Sequence, residues 1–123
     1  MAEQYYPQTH IALTKNVGQS INGVWSVRNI STTVRYTQLT IQYHAQALVK
    51  GPHFALQPGI TMTFPAVSTV IAAGVPGDNE TVTVSINETS ADGVRVGTIS
   101  QHSFIITIGG GAVLEAVGEP TIV

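Results

Sequence analysis

Four histidines, His10, His44, His53 and His102, are the side chains whose ordinary pKa suits acid/base work near neutral pH. None stands two or four residues from another, so the His-x-His and His-x-x-x-His spacings of metal ligands are missing. Two carboxylate pairs, Asp78 with Glu80 and Glu88 with Asp92, could serve as acid and nucleophile in glycoside hydrolysis. That chemistry needs a cleft to separate the two environments. Both pairs sit among turn residues that offer little concavity, so they read as turn chemistry and solvation. The triplet Gly109-Gly110-Gly111 imitates a phosphate loop, but no Lys follows it, and Gly118 and Pro120 would stop a helix within two turns. A bend fits the triplet better. Trp25, Tyr36 and Tyr43 could stack on sugar rings, although a lone Trp in a sheet-rich chain more often anchors a core. Cysteine is absent, which removes disulfides, thiolate zinc sites and cysteine nucleophiles. The residues therefore offer no catalytic, cofactor-binding or metal site, and the chain is not read as an enzyme.

The elements that would position these groups are strands. Thr81-Val82-Thr83-Val84-Ser85-Ile86 alternates apolar residues with hydroxyls, and Phe104, Ile106 and Ile108 repeat the period of two, with Ile105 on the outer face. Residues 67–75 are rich in β-branched side chains and bounded by Gly74 and Pro76, which favours a further strand. The longest strand-like run, residues 33–48, changes phase: Val34 and Tyr36 are even, whereas Leu39, Ile41, Tyr43, Ala45 and Ala47 are odd. A bulge near Thr37-Gln38, or a crossing between sheets, would reconcile the halves. Turn signals recur at Asn22-Gly23, Lys50-Gly51-Pro52, Pro58-Gly59, Pro76-Gly77-Asp78-Asn79 and Asp92-Gly93. This grammar describes an all-β, immunoglobulin-like Greek-key β-sandwich of about 7–9 strands. Its extent is residues 11–108, with an N-terminal arm (residues 1–10) and a Gly-hinged C-terminal arm (residues 109–123).

Charge bounds the partners. Charged residues form 10% of the 123, with five Lys and Arg against seven Asp and Glu, whereas soluble domains carry roughly 25%. The basic residues Lys15, Arg28, Arg35, Lys50 and Arg95 are scattered, which argues against nucleic acid. No signal-like n-region and h-region opens the sequence and no run of about 18 apolar residues occurs, so synthesis in a cytoplasm without membrane attachment is expected. The sequons at Asn29, Asn79 and Asn87 read as chance in a Thr-rich chain. A surface so poor in charge repels weakly and favours association.

From Leu39 to Ile108 the order of features resembles a Calx-beta domain, a seven-stranded immunoglobulin-like sandwich. The matching segments are Ile41-Gln42-Tyr43, then Lys50-Gly51-Pro52-His53-Phe54, then Gly59-Ile60-Thr61-Met62-Thr63-Phe64. They continue with Gly77-Asp78-Asn79-Glu80 leading into the alternating strand, and end with Val96-Gly97 before Ser103-Phe104-Ile105-Ile106-Thr107-Ile108. The resemblance implies the fold. The family's calcium ligands are largely missing: only Asp78 and Glu80 stand where they would be, and His53 replaces the acid of the Gly-x-Asp-Tyr turn.

The arms carry most of the functional signal. Tyr5 and Tyr6 in the first, and Val113, Leu114, Val117, Ile122 and Val123 in the second, are apolar residues outside the expected core, and they are the expected partner-binding set. The expectation is a homo-oligomeric structural assembly protein that binds its own copies or other subunits, such as a major capsid protein. A virion component, in particular a bacteriophage capsid decoration (cement) protein or a minor capsid or tail protein, is the specific form. The alternative is a Calx-beta-like or carbohydrate-binding module using His53, Phe54, Asp78, Asn79 and Asp92 in its loops.

Overall fold

The structure, a computed structural model, describes residues 4–109 and 117–123. Nine strands and no helix occur among the described residues: β1 (Gln4–Asn16), β2 (Ser20–Gly23), β3 (Ser26–Arg28), β4 (Arg35–Tyr43), β5 (Val49–Leu56), β6 (Thr61–Thr63), β7 (Val67–Val70), β8 (Asn79–Thr89) and β9 (Arg95–Gly109). Five of them form one sheet in the order β1-β9-β8-β4-β5. The alternation in β4, β8 and β9 sorts this sheet into two faces, because residues paired across neighbouring strands point to the same side. Leu39 lies opposite Ile86, Ile41 opposite Val84 and Tyr43 opposite Val82, which in turn faces Phe104. These side chains, with Ile106 and Ile108, build the buried core. The other face carries Gln38, Thr40 and Gln42 beside Asn87, Ser85 and Thr83. It is held by uncharged hydrogen bonds, including Thr83 Oγ1 to Ser103 Oγ at 3.0 Å and Thr98 Oγ1 donating to Asn87 Oδ1 at 3.0 Å.

The second layer is a two-stranded ribbon. β2 pairs antiparallel with β7, and β3 with β6. The Phe64 amide donates to the Trp25 carbonyl at 2.9 Å and joins the two ladders into one strip. Ile21, Phe64, Val67 and Ile71 are its contribution to the core. β7 packs over β4 and β5. Two strands are too few to cover five, since strands lie about 4.8 Å apart within a sheet. The all-β layering is consistent with a β-sandwich.

Several expectations change. The Gln4–His10 stretch read as an arm is the first half of β1, paired parallel with β9 from Gln4 opposite Ser100 onward. The register slips between Tyr6 and Thr9, at a Pro that has no N–H to donate. β4 carries no bulge against β8, for their ladder runs unbroken from Tyr36–Thr89 to Tyr43–Val82. The extra residue lies in β5, where three steps from His53 to Lys50 face two from Gln38 to Thr40. Val34 precedes β4 and is exposed, and Thr37 takes the core-face position with its hydroxyl donating to the Asn87 carbonyl at 3.0 Å. Lys50-Gly51-Pro52 is thus bulged strand and no turn. Asn22-Gly23 is also strand: a Cβ on Gly23 would stand 3.2 Å from the Val84 side chain, so glycine lets β2 approach β8. The Asp92-Gly93 turn is as expected, with Gly93 at φ +83°. The strand expected over residues 67–75 ends at Val70, and the terminal strand runs one residue past Ile108, to Gly109.

Candidate functional site: an apolar groove beside β2

Because the ribbon is narrow, the core face of β9 and β1 continues beyond its edge. An open groove of about 600 Å³ lies there. Its floor is Ile41, Val82, Val84 and Ile106 from the sheet, with Ile11 and Leu13 from β1, and β2 and Trp25 form one wall. His102 stands on this face opposite Val84, and Tyr6 lies beside it in the parallel register. The three rings of Tyr6, His102 and Phe104 stack in a row: Tyr6 to His102 at 5.4 Å and 22°, His102 to Phe104 at 4.3 Å and 19°. Trp25 tilts against Tyr6 at 6.0 Å. A hydrogen bond of 3.0 Å joins His102 Nε2 and Thr9 Oγ1, tying β1 to β9 through side chains as well as backbone. Among the described residues β2 pairs only with β7, so its other edge, which borders the groove, has no strand partner. This arrangement can hold apolar or aromatic matter and can accept an added strand.

The residues expected from the sequence are distributed unevenly around it. Tyr6 lines the groove, Tyr5 is 60% exposed beside it in β1, and Val117, Ile122 and Val123 are fully exposed. Val113 and Leu114 lie outside the described residues. Trp25, expected as a core anchor, is half-buried against the core rim and lines the groove. Tyr43 is in the core and unavailable for stacking. The loop set of the alternative reading is split, because Asp78 and Asn79 adjoin the start of β8 and Asp92 follows its end. Eleven residues of strand separate those ends by roughly 35 Å. His53 lies near Asp92, its Nε2 donating to the Ala91 carbonyl (3.1 Å), and Phe54 packs against Phe64 at 6.4 Å between centroids.

The carboxylates have local partners. Glu80 meets His44 Nδ1 at 3.1 Å, and Glu88 meets Arg35 at 3.0 Å across β4 and β8. Among the described residues no three His, Asp or Glu side chains gather as a metal cage would need. Asn29 is buried, its Nδ2 donating to the Thr33 and Leu56 carbonyls, and Asn87 is buried too, so two of the three sequons are structural. Burial, and then the neighbouring Glu80 charge, push the Tyr43 phenol above its ordinary value.

Ile11, Leu13 and Val24 are site residues that the sequence reading passed over, and His102 was weighed there for acid/base work and not as part of an apolar groove. Parity was the available signal: His102 shares even numbering with Phe104, Ile106 and Ile108, and Ile11 alternates with Leu13. No protein-family model matches this chain, and no curated protein matches it either.

Proposed function

We propose that this protein is a non-enzymatic structural subunit that joins an assembly through apolar surface its own chain leaves open. The assembly we infer is a virion, in which the chain serves as a capsid decoration or cement protein, or as a minor capsid or tail protein. The groove beside β2 carries the reading: some 600 Å³ lined by Ile11, Leu13, Phe104 and Trp25, together with fully exposed Val117, Ile122 and Val123. Contiguous open apolar surface of this kind marks interaction sites in folded proteins. The charge content of 10% supports association, and the small, cysteine-free, strand-built chain supports a structural role.

We further read the topology as immunoglobulin-like, in keeping with the Calx-beta resemblance. On that reading β9-β8-β4-β5 is the G-F-C-C′ sheet and β2–β7 the B–E pair. The place beside β2, taken by strand A in that fold, holds no strand among the described residues.

Light scattering of the full chain over a concentration series tests the proposal. Masses at multiples of 13.0 kDa are expected, and a chain that stays a monomer throughout would overturn self-assembly. The aromatic row of Tyr6, His102 and Phe104 with Trp25 favours one second reading, a module that stacks a sugar or other ring in the groove. A monomer whose melting temperature rises with a glycan would select it.

A further inference from the structure

We propose that the groove beside β2 is filled by the C-terminal residues 117–123 of a second copy, added as a strand to the free edge of β2. This rests on the assembly reading above and names its partner. Among the described residues the groove lacks a cover on the side where β2 has no strand partner, so an incoming strand finds main-chain groups to pair and the half-buried side chains of Ile11, Leu13, Trp25 and Phe104 to cover. The same chain carries the complementary part. Val117, Ile122 and Val123 are fully exposed, and Glu119 is the only charged side chain in the segment. In extended form, Gly118, Pro120 and Ile122 share one face and Val117, Glu119, Thr121 and Val123 the other. With Pro120 and Ile122 turned into the groove, their main-chain groups point away from β2, where the missing proline N–H costs nothing. The donors and acceptors of Glu119, Thr121 and Val123 then face β2.

A segment lying free of its own groove and a groove of the same character on every copy make a head-to-tail contact. Such a contact generates a ring where the rotation closes. Each copy gives one segment and receives one. The apolar area hidden at both ends is added without enlarging the domain.

The absence of cysteine from the chain permits a clean cross-linking test. Val24→Cys, in the groove wall at 63% exposure, and Ile122→Cys, fully exposed, are placed in separate full-length chains, neither disturbing the core. Mixed in an equilibrating thiol buffer, they are expected to give hetero-linked dimers in several-fold excess over either homo-linked dimer. Random linkage, with the hetero-linked dimer only about twice either homo-linked one, would overturn the proposal. So would an internally closed monomer as the main product of the double variant, which would show a chain filling its own groove. In parallel, Ile122→Asp is expected to reduce the wild-type mass to 13.0 kDa with the melting temperature of the monomer retained. A wild-type oligomer whose mass Ile122→Asp leaves unchanged would overturn this contact and leave the assembly reading standing. A wild-type chain that is always monomeric would overturn both.

Discussion

Tyr43 sits at the end of β4 with its ring in the core and its hydroxyl donating to the Ala73 carbonyl at 3.2 Å. Burial first and the Glu80 carboxylate second raise its pKa above the ordinary phenol value of about 10. The folded state therefore keeps a proton that the unfolded chain releases. Stability from this group is complete below pH ~10 and is lost as pH rises through the folded value. Chemical denaturation from pH 8 to 11 is expected to show the midpoint falling above pH ~10, and falling less in Tyr43→Phe. At neutral pH the same substitution should cost about 1 kcal/mol, the worth of one hydrogen bond. Asn29 is a sharper case. Its side chain donates to the Thr33 and Leu56 carbonyls and accepts from the Ser31 amide and hydroxyl, closing the loop between β3 and β4. Asn29→Ala takes the side-chain donor from the carbonyl of buried Leu56 and unties the loop, and should destabilise by about 1–3 kcal/mol, read as a lowered urea midpoint.

β1 is the element whose role changed most between sequence and structure. Its first half looked like a polar-aromatic arm because Gln, Tyr, Pro, Thr and His give no continuous apolar alternation. What makes it a strand is long-range: a parallel ladder with β9, the ring stack of Tyr6 on His102, and the Thr9–His102 hydrogen bond. Deleting residues 1–10 should therefore lower stability by at least about 2 kcal/mol, counting lost ladder bonds at about 1 kcal/mol each. A dispensable arm would leave the melting temperature where it was. At β2 the same logic applies to one glycine. Gly23→Val must push branched methyls into Val84, which a bare Cβ would already meet at 3.2 Å, so a loss of about 1–3 kcal/mol is expected in thermal denaturation.

At the scale of the molecule, the described residues set a five-stranded sheet under a two-stranded ribbon and leave one flank open, which the proposed association would cover. A chain ending at Gly109 keeps all of β9 and should fold with nearly unchanged melting temperature as a monomer, but lose the higher mass of the full chain in light scattering. Because the proposed contact is apolar and only 10% of residues are charged, the full-length mass should vary little between low salt and about 0.5 M salt. A mass that collapses with salt would point to ion pairs instead.

Period-two alternation at Val82, Val84 and Ile86 and at Phe104, Ile106 and Ile108 was enough to name an all-β chain and its central strands, because the face a strand residue occupies depends only on its parity. Composition carried only the expectation of a surface inclined to associate, which the proposal takes up. The groove was not legible, since it arises from how many strands each layer holds and which flank β7 covers. Nor were the turn-like Asn22-Gly23 and Lys50-Gly51-Pro52, where glycine serves a close approach and a bulge. Tyr6, Trp25, His102 and Phe104 come from three separate stretches of sequence, and only the pairing of β1 with β9 and the lie of the ribbon bring them together. Local residue pattern determines faces and periods. Which face remains uncovered is a property of the packed layers, and tertiary structure alone decided it.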